Sequence, residues 1–582
     1  MKVIIFDFEV FKYDTLFGAL IVSKDNEPEL YQTWNLNDIK EFYNLHKYDL
    51  WIGHNNINYD NIILEAIINN KNPFVVNKQI LKSEFRKKSN IPYLTYDLMN
   101  NDFYSLKTTE AAVGKNISES DVDFEIDRPL TDNEKSQTES YNRDDLNQTY
   151  YNYNSPTLKG TLSTRWDVIK EFKLNPIYLC ATETKLAELV FGAKQIEGIE
   201  NQKIKPHLYD TLILKNQQLK DFYLREGFRH KETEIIHVCG ADIKIGAGGA
   251  HSAIKNYHSD KFLYFDVSGY YNLVMLNYDL LPRTMPTEAK ELYRTLYFKQ
   301  LEYKKTNPKK RASLKVVLLA VFGAMTNKYT AFYDPEKGTL VTVTGILFIC
   351  DLLEKLEGYI TVIQTNTDGI MVEPLDWNNY DKIIEIVEDW EKRTGFVIKK
   401  ELRYNLWQRD VNNYFFVEPN GKVYTKGEAV RTYNCYNDIF ERRTFDSKEP
   451  LIVAKCLVDY LLYNKSPEET VEENKNNFIL FQYICKRNSF DYLTCNNERL
   501  QHINRVFASN DYENVKMIYK HKNNRIEKYS NLPDNIFVFN DDLSKLTNKY
   551  INYNYYVKRA YERISEFKYG KKEYDFDYIP LL

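Results

Sequence analysis

Apolar positions along the chain alternate in short runs near the N-terminus and shift to helical spacing further on. Residues 3–8 and 16–22 read as strands, with a shorter apolar run at 50–53. Helical spacing follows near 60–69 and over 132–153, so residues 1 to about 150 are predicted to be α/β. Residues 155–255 mix helix and loop patterns and end in Gly246-Ala247-Gly248-Gly249-Ala250. Three glycines in four positions suit either a close backbone approach or a flexible turn.

The pattern sharpens after 255. An apolar strand at 262–265 ends on Asp266, and Pro286 and Glu288 then open a helix. Thr306-Asn307-Pro308 separates that helix from a second, whose apolar stripe is Leu314, Val317, Leu318, Val321 and Phe322 and which Gly323 closes. Strand patterns at 359–364 and 370–372 flank Thr365-Asn366-Thr367-Asp368-Gly369, a predicted hairpin, and further strands are expected near 413–419 and 422–426. Beyond about 430 the pattern reads as mostly helical, and no internal repeat or low-complexity linker interrupts the chain.

Composition narrows the class. At 582 residues the chain exceeds one core, and its 43% hydrophobic content excludes a disordered protein. A net charge of −4 decides nothing about nucleic acid, because a near-neutral total can hide a basic track. The seven cysteines are widely spaced and give no metal-ligand or redox pair, so reduced thiols in a cytosolic compartment are expected. The N-terminal residues enter a strand and meet Asp7, which is not the pattern of a signal peptide, and no run reaches membrane-span length.

Chemistry enters through the carboxylates. Asp266 ends one strand and Asp368 sits at a hairpin tip, and two aspartates at neighbouring strand ends are what two-metal phosphoryl transfer requires. A lone aspartate in a turn is usually only a turn former. A second cluster draws on three segments: Asp7 and Glu9 on one face of the first strand, Asp60 opening a helix after Asn56 and Tyr59, and Tyr141 and Asp145 one helical turn apart. Four carboxylates and a tyrosine hydroxyl could converge on two divalent ions and orient a water against a phosphodiester. Each piece alone also reads as solvated surface acid; their order and the strand-end placement favour the site. Arg311 and Lys315, one turn apart and opposite the apolar stripe, suit a polyanionic ligand, or failing that an ordinary basic face.

These residues together resemble family B DNA polymerases. Asp7/Glu9, Asn56/Tyr59/Asp60 and Tyr141/Asp145 are similar to the family's three exonuclease motifs, and Ser105-Leu106-Lys107 to a stretch that contacts single strands. Asp266-Val267-Ser268-Gly269-Tyr270-Tyr271 resembles the first polymerase motif, Lys315 with Phe322-Gly323 the second, and Asn366-Thr367-Asp368 the third. Gly248-Gly249 resembles the glycine pair joining the two halves in compact phage and plasmid members.

The resemblance implies an α/β multidomain fold: an RNase H-like exonuclease domain at 1–155, a region of open fold at 156–254, and a right hand. In that hand the palm is 255–285 and 325–430, the fingers 286–324, and the thumb and C-terminal region 431–582. It further implies that Asp266, Val267 and Asp368 hold two Mg²⁺ ions (Mn²⁺ could substitute) and that Asp7, Glu9, Asp60 and Asp145 hold two more. Tyr271 would lie under the incoming sugar and exclude a 2′-hydroxyl, with Arg311 and Lys315 gripping the triphosphate. Asn56, Tyr59, Ser105, Leu106, Gly248, Gly249, Tyr414 and Lys426 would contact DNA, Tyr59 by stacking on a frayed 3′ end. The implied partners are primer–template DNA and deoxynucleotides, with single-strand binding protein, helicase or clamp as candidates, for a monomer in the cytoplasm, that of the host if phage-encoded.

Departures from the pattern are Asn366 for an aspartate, Asn272 for a proline, Leu319 for an asparagine and Asn412 for a lysine. Tyr271 and Lys315 are only 44 positions apart, and Gly323 and Asn366 only 43. Protein-primed relatives carry insertions in both intervals, so a conventional primer or weaker protein priming, and less strand displacement, are expected. The sequence therefore supports a proofreading DNA polymerase first. A 3′–5′ exonuclease with a degenerate polymerase half and a DNA-binding scaffold are the alternatives.

Overall fold

The computed structural model describes residues 1–568 apart from 25, 83–92, 100–102, 121, 202–203, 226–227, 229–231, 488–489, 497, 511–517 and 523–524. The chain divides into two compact α/β units. One comprises Met1–Thr182, Asn434–Val453 and Glu468–Val557; the other Glu183–Tyr433, Ala454–Pro467 and the residues from Lys558. The C-terminal region expected as a thumb is thus shared between the two.

The first unit is built on strands β1 (Val3–Val10), β2 (Thr15–Val22), β3 (Glu29–Thr33), β4 (Leu50–Gly53) and β5 (Leu94–Asp97). Their order is β3-β2-β1-β4-β5, with β2 antiparallel and β4 parallel to β1. Helices α1 (Leu36–His46), α2 (Asp60–Ile68), α3 (Pro73–Leu81), α4 (Leu106–Ala112), α5 (Asp132–Asn154) and α6 (Pro156–Glu171) accompany the sheet. Strand alternation divides β1: Ile4, Phe6, Phe8 and Val10 enter a core with Phe17, Trp51 and Ile63, which leaves Asp7 and Glu9 on the opposite face. Thr131 and Glu134 close a reciprocal capping box that starts α5, and Ser155 followed by Pro156 starts α6.

The second unit carries a nine-stranded sheet in the order β14-β13-β12-β9-β11-β10-β8-β7-β6. Its strands are β6 (Thr233–Val238), β7 (Ala241–Gly246), β8 (Gly249–Ala253), β9 (Tyr257–Val267), β10 (Ile360–Thr365), β11 (Gly369–Pro374), β12 (Ile398–Asp410), β13 (Asn413–Val417) and β14 (Val423–Lys426). Its helices include α7 (Glu183–Phe191), α8 (Gln217–Leu224), α9 (Tyr270–Asn277), α10 (Thr287–Thr306), α11 (Pro308–Ala324), α12 (Pro335–Leu356) and α13 (Tyr380–Thr394). The predicted helix pair is α10 and α11, with Asn307 capping the second; α11 runs one residue past Gly323. Leu314, Val317, Leu318 and Val321 are buried as the stripe requires. No helix among the described residues is long and apolar enough to cross a membrane.

The expectation of a mostly helical region beyond 430 is corrected. Tyr483–Lys486, Ile503–Ala508 and Ile536–Val538 form one sheet, and Leu493–Cys495, Glu498–Leu500, Ile518–Lys522 and Arg525–Lys528 another. Ile503–Ala508 hides its strand character because Arg505 sits in its middle. That guanidinium is fully buried, donating to Gln482 Oε1 at 2.7 Å and to the carbonyls of Lys115 and Asp541 at 2.8 Å. A buried cation satisfied this completely can stand inside a core strand, where sequence pattern alone reads it as surface.

Candidate active sites

In the first unit, oxygens of Asp7, Glu9 and Asp145 lie within 4.8 Å of one another. Strand β1 supplies the first two and α5 the third. Asp60, at the start of α2, is buried beside them, its Oδ1 accepting from the Phe8 amide at 3.1 Å, just outside the group of three. Asn142 donates to Asp7 Oδ2 at 2.9 Å while its own Oδ1 accepts from Gln32 at 3.0 Å. Burial and then the charge of Asp145 push the Asp7 carboxyl up to about 7. Glu9 is raised well above the usual range by burial and then by Asp7, and Asp60 likewise. Carboxylates this crowded repel one another, and hard oxygen donors in that state fit divalent cations.

Two neighbours complete the cluster. Lys107 on α4 bonds Asp145 at 3.0 Å, pairs with Glu110 at 3.0 Å, and places its ammonium 4.4 Å from the Tyr141 ring centre. Burial, then Asp145, keeps the Tyr141 hydroxyl protonated. Glu110, which sequence reasoning missed, is pushed up to about 8 by burial and then by Asp145. Its place three residues after Lys107 on a helix was the available signal.

The remaining residues of this group are placed less openly. Asn56 is fully buried, its amide donating to Asn61 and Thr95 at 3.0 and 2.8 Å. The Tyr59 ring packs partly against the core and its hydroxyl donates to Asn77 at 3.2 Å. Ser105 is exposed and caps α4, and Leu106 is half-buried at the first helical position.

In the second unit, β9 and β11 are antiparallel neighbours with Asp266 directly opposite Gly369, which brings Asp368 beside Asp266. The Val267 amide donates to the Asp368 carbonyl at 2.9 Å, closing the turn onto the strand end. Burial, then Asp266, raises the Asp368 carboxyl, with Lys426 and Lys399 opposing. Both aspartates line a cleft of about 330 Å³ together with Val267, Tyr271, Arg311, Lys315 and Lys399. Tyr271 stacks on Phe322 with ring centres 4.1 Å apart and planes 13° from parallel. The site thus has two carboxylates, a rigid aromatic surface and cations from α11, an arrangement suited to a polyanion carrying a ring.

The departures find local partners. Asn272 is buried and its Oδ1 accepts from Tyr293 on α10 at 3.0 Å. The Asn366 side chain meets the Tyr414 hydroxyl, and Tyr414 is itself almost fully buried with the Lys426 ammonium 5.6 Å from its ring centre. Leu319 is 45% exposed and lines the cleft; nothing in the structure explains that choice. Gly248 faces open space, whereas a Cβ on Gly249 would stand 2.2 Å from Thr367 Cγ2. The glycine hairpin therefore supports the Asp368 turn, with Thr365 Oγ1 donating to the Ala250 carbonyl at 3.1 Å. Lys399 was not picked out from sequence. Its register against Asp266 depends on pairing between strands more than a hundred residues apart.

No family model matches the chain, and no curated protein matches it. Among solved structures, the chain is similar to the family B DNA polymerase of the hyperthermophilic archaeon Pyrobaculum calidifontis, at 14% identity and a TM-score of 0.48, over 99% of this chain and 79% of that one.

Proposed function

We propose that the chain is a template-directed DNA polymerase with its own 3′–5′ proofreading exonuclease. One observation carries the reading: Asp266 and Asp368 line one cleft with Tyr271, itself stacked on Phe322, and the cations of α11. Arg311 and Lys315 bind the triphosphate, Arg311 offering a planar fork and Lys315 a point charge. Tyr271, held flat by Phe322, lies under the sugar and leaves no room for a 2′-hydroxyl. Asp266, Asp368 and the Val267 carbonyl would hold two Mg²⁺ or Mn²⁺ ions, which supply charge neutralisation at the attacking and leaving oxygens when bound. Asn366, anchoring Tyr414, supports the turn without adding charge.

The acidic cluster supports the second activity. Asp7, Glu9, Asp60 and Asp145 would hold its divalent ions, and the protonated Tyr141 hydroxyl can donate to the attacking water or to the scissile phosphate. The order β3-β2-β1-β4-β5 with carboxylates on its central strand supports an RNase H-like domain. Under this reading α10 and α11 are fingers, and the sheet containing β9 to β12 is the palm.

A primer–template assay tests this in Mg²⁺, with and without deoxynucleotides, on the parent, Asp266→Ala and Asp7→Ala. Extension lost only in Asp266→Ala and degradation lost only in Asp7→Ala is the expected result. Degradation without extension by the parent would leave an exonuclease with a degenerate polymerase half, the reading that exposed Leu319 in the cleft would favour.

A further inference from the structure

Strand β12 runs antiparallel to β9, and its register sets Lys399 directly opposite Asp266. The Lys399 Nζ lies 2.8 Å from Asp266 Oδ2, on the carboxylate that faces the cleft. The register is fixed nearby: the Ile398 amide and the Lys400 ammonium both donate to Glu391, each at 2.5 Å. Alternation sends Lys400 to that anchor and leaves Lys399 on the cleft side. Lys399 is 45% exposed, and an ion pair that open contributes little to stability. Its charge does act on whatever approaches Asp266, since a cation already on the carboxylate repels a second one.

We propose that Lys399 is a resident counter-cation that sets the divalent-ion affinity of the Asp266–Asp368 pair, so that an arriving ion must displace its ammonium from Asp266. In the ion-free protein Lys399 holds the Asp266 carboxylate oriented into the cleft. On ion binding the ammonium is released toward the solvent side of the cleft, where it can meet the phosphates of an incoming nucleotide. Lys399 is a positioning residue in this account, and it rests on the reading of Asp266 and Asp368 as a cation site.

The test is Mn²⁺ binding to the full chain without DNA or nucleotide, followed by electron paramagnetic resonance, in an Asp7→Ala background that silences the other acidic cluster. Lys399→Met is expected to bind Mn²⁺ about fivefold more tightly, the order for a half-exposed unit charge beside a divalent ion, while Lys399→Arg stays near the parent. Unchanged or weaker binding in Lys399→Met, with binding abolished in Asp266→Asn, would overturn the inference and leave the polymerase reading standing. Mn²⁺ binding indifferent to Asp266→Asn would overturn both. Thermal melts of each variant establish that affinities compare folded proteins.

Discussion

Gly18 on β2 lies opposite Asp7 on β1, and a Cβ at Gly18 would stand 1.8 Å from Asn142 Oδ1. The missing side chain is what lets Asn142 reach across from α5 and hold the Asp7 carboxylate. Gly18→Ala should therefore displace Asn142 and cost degradation about 10- to 100-fold, the usual effect of losing a partner of a metal-binding carboxylate. Overpacking there should also cost about 1–3 kcal/mol. Primer extension, which the proposed function assigns to the other unit, should change little. Comparing the two rates on one preparation checks this, and equal loss of both would refute it.

Gly249 bears the same relation to the Asp266–Asp368 cleft. Its φ of 150° already disfavours a side chain, and an added Cβ would collide with Thr367 in the turn carrying Asp368. Moving that aspartate by a fraction of an ångström to an ångström should slow extension up to about 100-fold. Gly248→Ala, whose Cβ would face open space, is the matched steric control and should leave the Asp368 turn in place. Single-turnover incorporation rates separate the pair.

The acidic cluster makes the ion-free first unit sensitive to pH. The folded Asp7 carboxyl is raised to about 7 from its ordinary 3.8. The stability it contributes is thus fully present below 3.8 and is lost as pH rises through 7. In chelator at pH 8, Asp7→Asn should unfold at higher temperature than the parent, the gain being on the order of 4 kcal/mol. Mg²⁺ should raise the melting temperature of the parent by more than that of Asp7→Asn. Calorimetry with and without Mg²⁺ measures both, and a parent indifferent to Mg²⁺ would count against the site.

His54 acts with the opposite sign. Its Nε2 donates to the Tyr104 carbonyl at 3.0 Å, and burial lowers its pKa to about 4 from an ordinary 6.5. The unfolded chain therefore takes the proton first, and stability is lost as pH falls from 6.5 toward 4, by up to about 3 kcal/mol. His54→Gln can keep the donor without taking up a proton. Urea titrations at pH 7.5 and 5 should show a smaller drop for His54→Gln than for the parent.

Much of this was legible in the sequence because local strand or helix periodicity fixes the direction in which each carboxylate points. Asp7 and Glu9 alternate out of the core, and Tyr141 and Asp145 share a helix face. What stayed hidden depends on pairing across distance. Lys399 is one lysine among many until β12 is laid against β9. Gly18 reads as a weak spot in a strand until α5 arrives above it. The strand containing Arg505 escaped because a buried cation imitates a surface residue.

Helix α4, which carries Lys107 and Glu110 toward Asp145, is held from below by Arg505 and by Phe440 and Phe445. Those supports come late in the chain, after the whole of β6 to β14. During translation, then, a ribosome that has released the first unit's sheet has not yet released the residues that steady its active-site wall. The wall beside the acidic cluster therefore stays unfinished until the sheet of β6 to β14 has left the exit tunnel. Ordering of this kind needs no regulator; the path of the polypeptide enforces it. It also means that cutting the gene after residue 182 to isolate the acidic cluster would strand α4 without its footing.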